Sequence, residues 1–129
     1  ILGGNIIGCI VMGLLSRLSP LDMQDAAQKV LSLRLERGPF RCGFLGIPCG
    51  FMMTTAVTFA RKQHYIPLLL AVPLFIVCGF THCIADAFYY CAASWDAVSA
   101  QPLKLLITYL FTVLGNFAGC NLYRLFVKE

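Results

Sequence analysis

The sequence predicts an all-α integral membrane protein with four transmembrane helices, the third of them broken. Three observations carry that reading. Of 129 residues, 59% are apolar and only 12% are charged, against roughly 45–50% and about 25% in an ordinary soluble domain. So few charges cannot coat a water-facing surface, and so high an apolar content excludes disorder. The charges are also segregated. None falls from Ile1 to Ser16, none in the 19 residues between Arg41 and Arg61, none in the 23 between Lys62 and Asp86, and none in the 19 between Lys104 and Arg124. A helix of that shorter length measures about 28 Å, close to the roughly 30 Å hydrocarbon core. Finally, one of these runs carries both Pro73 and Gly79, a helix breaker and a flexible residue.

The first span covers about 1–15. A signal peptide is its rival, but no basic flank precedes the apolar run and no Ala-x-Ala site follows it. The chain opens on Ile and the run is short, which suggests a span cut into from its N-terminal side and a truncated protein. A polar connector, 16–41, follows. Ser19, Pro20, Asp22 and Asp25 read as a capping residue, a proline at the first helical position and acids in the first turn. Leu21, Ala26, Lys29, Val30, Leu33 and Leu35 then suggest a short helix, ended by Gly38-Pro39. The second span covers about 42–60, with Pro48 inside it, and a basic turn at 61–64 follows. The third covers about 65–90 and carries Pro67, Pro73, Gly79, His82 and Asp86. A loop at 92–101 leads to Pro102 and the fourth span, about 103–126.

Glycines recur four apart at Gly4/Gly8, Gly46/Gly50 and Gly115/Gly119. In a bilayer such pairs let two helix backbones approach closely, so a packed bundle is expected. Residues 2–9, Leu-Gly-Gly-Asn-Ile-Ile-Gly-Cys, also echo residues 114–120, Leu-Gly-Asn-Phe-Ala-Gly-Cys. Both copies hold an asparagine, Asn5 and Asn116, amid glycines in an apolar helix. Asparagine in lipid needs a partner, and repeats of this kind are typical of transporters, whose sites lie at the repeat interface. The seven cysteines form no Cys-x-x-Cys pair and read as small packing residues.

Chemistry concentrates in the third span. Pro73 and Gly79 predict a break near 75–81, with a second half-helix starting near 79–82. Broken helices at membrane depth are tolerated where they face protein or a cavity. The free N–H groups and positive dipole end of the second half would favour an anion. His82 sits at that end, and Asp86, four residues on, shares its face. An intramembrane ionisable pair is a functional hypothesis, with a structural His–Asp bond as the alternative. A metal site at Cys78, His82, Cys83 and Asp86 is disfavoured because Cys83 adjoins His82 and no second ligand pair occurs. A Cys–His nucleophile lacks an orienting third residue. No phosphate loop and no nucleic-acid face is evident, and no cofactor is expected. Taken alone, Lys29 reads as a solvated interfacial lysine.

In order along the chain, these segments resemble the formate/nitrite transporters. Residues 2–15 resemble that family's third helix. Ala26-Ala27-Gln28-Lys29-Val30 resembles its lysine-bearing segment, and Leu45-Gly46-Ile47-Pro48-Cys49-Gly50 the start of its fourth helix. Residues 75–86, Phe-Ile-Val-Cys-Gly-Phe-Thr-His-Cys-Ile-Ala-Asp, resemble its broken fifth helix, and residues 114–119 its sixth. The resemblance implies an aquaporin-like fold in the plasma membrane, a pentamer with one pore per protomer, and passage of small monovalent anions such as formate, nitrite or hydrosulfide, often with a proton. It makes His82 the central pore histidine, Phe75 a constriction residue and Lys29 the residue that draws anions in. Thr81, Asp86, Asn5 and Asn116 complete the expected pathway.

The departures are specific. Gly50 stands where the family usually has Asn, Thr81 where it usually has Glu, and Asp86 where it usually has Asn. The family's first two helices, which supply its other broken helix, have no counterpart here. Charge gives six basic residues on the side of Arg17 and Lys104 against four on the other, which weakly places the first side in the cytoplasm. The resemblance places the C-terminus there instead, and that orientation is adopted. The alternative function is a non-transporting membrane fragment or accessory subunit that only packs with partner helices. A membrane-embedded enzyme is a third reading.

Overall fold

The computed structural model describes residues 2–19 and 23–127. Six helices occur among them: α1 Leu2–Ser16, α2 Met23–Arg61, α3 Ile66–Val77, α4 Cys83–Ala92, α5 Trp95–Ala100 and α6 Pro102–Phe126. By length and composition α2 and α6 can each cross a membrane, and α1 and α3 are apolar but shorter. The expected helix start at Pro20 and Asp22 lies outside the described residues, as do Ile1 and Lys128.

Burial departs from that of a soluble protein on both sides of the surface. Large apolar side chains face outward, among them Leu69, Val77, Leu103 and Phe126, while Arg34, Thr81, Asp86, Thr108, Thr112 and Asn116 are buried. Lipid is as apolar as leucine, so the interior is where polar groups find partners.

One expectation holds and one needs correction. Gly38-Pro39 does end the connector helix: Gly38 leaves the helical region at φ 76° and ψ 171°, and a second helix follows directly, so α2 is two helices joined at a sharp kink. The positive φ needs glycine, and proline suits the first turn of the helix that resumes. The segment expected as a loop at 92–101 holds α5, whose N-terminus is capped by the Ser94 hydroxyl accepting from the Ala97 N–H at 3.3 Å.

The α2–α6 seam positions everything else. A Cβ on Gly115 would run into the Gly43 carbonyl, one on Gly119 into that of Ile47, and one on Gly50 into that of Asn116. These two helices therefore touch backbone to backbone, and two of the three glycine pairs serve one contact within the chain. Gly50 also explains its own departure from the resemblance, because an asparagine there would drive α6 away. The third pair differs: Gly4 and Gly8 have nothing within 4 Å of a built Cβ. Helix α1 packs on α4 one turn further along, where Gly13 faces the Phe88 carbonyl and Cys91. At the end of α1, Arg17 donates to the Cys91 carbonyl at 2.7 Å and to that of Ala93, and its guanidinium lies over Trp95.

Candidate functional site

The broken helix is built from the sequence of the break itself. Helix α3 runs through Pro73 without interruption and stops at Val77. What ends it is Gly79 at φ 66°. The Gly79 N–H donates to the Ile76 carbonyl and the Phe80 N–H to that of Phe75, each at 3.0 Å, the double bond of a glycine-terminated helix. The break thus lies at 78–82, later than proline alone suggests, because a proline removes one donor whereas a left-handed residue turns the chain.

Helix α4 restarts at Cys83 with His82 as its N-cap. The His82 Nδ1 accepts from the Ala85 N–H at 3.2 Å. Thr81, fully buried, donates its hydroxyl to the Cys42 carbonyl at 2.6 Å, and its N–H reaches the Leu45 carbonyl. Asn116 of α6 clasps the break from the other side. Its Oδ1 accepts from the Cys83 N–H, and its Nδ2 donates to the carbonyls of Gly46 and Thr81, all at 2.9 Å.

Two arginines from the first part of α2 close the remaining carbonyls. Arg37 Nη1 donates to the Gly79 carbonyl at 2.8 Å. Arg34 Nη2 reaches the Phe80 carbonyl at 3.4 Å. The carbonyls of residues 79, 80 and 81 are thereby each met by a side chain, from Arg37, Arg34 and Asn116 in turn. An exposed break in lipid would leave these groups unsatisfied at a cost of several kcal/mol each. The expectation of a half-helix N-terminus with free N–H groups is corrected in part, since Cys83 donates to Asn116 and Ala85 to His82.

Asp86 does not pair with His82. It is wholly buried and bound to Arg34, whose Nε lies 3.1 Å and 3.2 Å from the two carboxylate oxygens, with Nη2 also at 3.2 Å. This is the one ion pair among the described residues. The His82 imidazole instead stacks on Phe75, with ring centroids 5.5 Å apart. So His82, Phe75, Thr81, Asp86 and Asn116 gather at the break, whereas Lys29 and Asn5 do not. Lys29 is exposed in an open groove with Asp25, Gln28, Ser32 and Glu36. It lies on the face of α2 opposite the buried Ala27, Leu31 and Arg34. Asn5 is exposed on α1.

Arg34 and Arg37 are the residues that the sequence reading missed at the site. A signal was available. A carboxylate in an apolar span needs a cation, and Arg34 repeats Ala27 and Leu31 at helical spacing, so it lies on their face. Two further polar atoms stand out: the buried hydroxyls of Tyr90 and Tyr109 have no hydrogen-bond partner among the described residues. Their rings meet edge to face at 6.0 Å.

Outward apolar faces, a helix broken in the interior, and buried polar side chains at the break fit a helical membrane protein. The model of the formate/nitrite transporter family matches residues 1–127, and the chain belongs to that family. No curated protein and no solved structure matches the chain. Membership points to transport rather than catalysis.

Proposed function

We propose that the chain lines a pathway for small monovalent anions such as formate, nitrite or hydrosulfide through the plasma membrane. The observation that carries this is the break. It sets an imidazole at a half-helix N-terminus, stacks it on an aromatic ring, and backs both with side chains that bond the carbonyls of residues 79, 80 and 81. In this reading α1, α2, α6 and the broken α3–α4 pair are four crossings of an aquaporin-like, multi-pass fold. His82 offers its outer nitrogen to the anion, and Phe75 narrows the passage beside it. Thr81, Asn116 and Asp86 fix the break. Lys29 draws anions from solvent, although Asp25 and Glu36 in its groove offset its charge, and Asn5 serves a contact outside the described fold.

Because His82 caps α4, two substitutions separate its roles. Asparagine is a good N-cap and alanine is not. In liposomes, His82→Asn is expected to keep the melting temperature close to wild type while formate flux falls at least about tenfold, the worth of one hydrogen bond to an ion. His82→Ala should lose both. Wild-type flux in the Asn variant would make the histidine a cap and nothing more.

A pentamer is proposed on the resemblance together with the open face of α1. A Cβ on Gly4 or Gly8 would have no atom of the described residues within 4 Å, and small residues four apart suit a close helix contact. Gly8→Leu is expected to leave the fold intact and to shift the particle in mild detergent toward a monomer. Light scattering that shows an unchanged mass removes this face from the contact.

A further inference from the structure

The buried pair at the break joins an arginine and a carboxylate in a particular way. The Arg34 Nε and Nη2 edge faces Asp86, with three N···O distances of 3.1–3.2 Å. That planar fork is the geometry by which a guanidinium recognises any carboxylate. The Asp86 side chain has no exposed surface, but that of Arg34 retains 9%, and its Nη1 has no partner among the described residues. The same arginine holds the Phe80 carbonyl, two residues from His82. The face of α4 that carries Asp86 carries Tyr90 one turn on, with its buried and unpartnered hydroxyl. An arginine with one nitrogen unengaged is thus held by a carboxylate that the chain itself supplies.

We propose that Arg34 is an anion-binding residue of the break, and that Asp86 is an internal carboxylate that occupies it until a small planar monovalent oxyanion takes its place. This rests on the reading of the break as an anion pathway, and it narrows the ligand class. A planar oxyanion such as formate or nitrite sets one oxygen on each N–H of the fork, whereas hydrosulfide and chloride have a single acceptor atom to share between the two and match it less well. The competition has a purpose for conduction. A free buried guanidinium would hold an anion too long, and a pathway needs binding weak enough to release. Asp86 lowers the net affinity without removing the recognition geometry.

The test combines binding with flux. In detergent, the Asp86→Ala and Asp86→Asn variants should be stabilised by sodium formate, with formate bound about tenfold or more tighter than by wild type. Sodium chloride at the same concentration should give a clearly smaller effect. The double variant Arg34→Gln/Asp86→Ala should lose the formate response. Arg34→Gln/Asp86→Asn is charge-balanced and close in shape to wild type. In liposomes it should need about tenfold more formate for half-maximal flux. Formate-independent melting of both single variants overturns the proposal, as does a wild-type half-saturation in the balanced double variant. A wild-type chain that carries no anion, beside Asp86→Ala that binds formate, would instead overturn the pathway reading and leave the site standing.

Discussion

Replacing Asn116 with leucine is expected to undo the joint between α6 and the broken helix. The side chain is 7% exposed and makes three hydrogen bonds, all to backbone groups on other elements. Leucine has nearly the same shape but offers nothing to the Cys83 N–H or to the Gly46 and Thr81 carbonyls. Each orphaned buried group costs about 1–3 kcal/mol, so the sum for the three is about 3–9 kcal/mol, a large part of the stability of any domain. The expected readout is a melting temperature in detergent lowered by many degrees, with flux abolished. A variant that melts within a degree or two of wild type would mean that these bonds are readily replaced, for instance by water, and that the clasp is not what holds the break.

Gly115→Ala is a test of sign. Alanine is the better helix former by about 1 kcal/mol, so the helix considered alone gains. The seam says otherwise. The new methyl would meet the Gly43 carbonyl and backbone, which cannot rotate away as a side chain can. Overpacking against movable side chains costs about 1–3 kcal/mol, occasionally more, and a backbone obstacle belongs at the upper end. Net destabilisation of at least about 2 kcal/mol is therefore expected, measured by chemical or thermal denaturation in detergent. Gly3→Ala is the matched control, since nothing lies within 4 Å of its Cβ position, and it should be neutral or slightly stabilising. A stabilised Gly115→Ala would show that α2 and α6 can part.

What was legible in the sequence, and what was not, follows physical lines. The membrane class was legible because composition and charge spacing report directly on solvent. The break was legible to within a few residues because Gly79 and the polar residues after it are local signals. Its placement slipped toward Pro73 because proline is a conspicuous breaker, while the glycine that takes a positive φ ends the helix. Asp86 was paired with His82, one turn back, whereas its partner Arg34 is 52 residues away, and no local pattern joins them. The connector was legible as a helix from Leu21, Ala26, Lys29, Val30, Leu33 and Leu35, but not which face it buries, which is that of Ala27, Leu31 and Arg34. The glycine pairs were legible as close-approach sites, but not which helices they join; for Gly46/Gly50 and Gly115/Gly119 these are α2 and α6 of this chain.

The capping bond of His82 has a consequence for proton traffic. Because Nδ1 accepts the Ala85 N–H, that nitrogen carries no proton, and the neutral ring holds its single proton on Nε2. A second proton must go to Nδ1, and there it meets an N–H donor pointed at the same lone pair. The ring therefore cannot become an imidazolium while α4 keeps this cap. Protonation and the first turn of α4 are two faces of one event. A ring that takes a proton from solvent must release the Ala85 N–H, and a ring that gives it up can close the cap again.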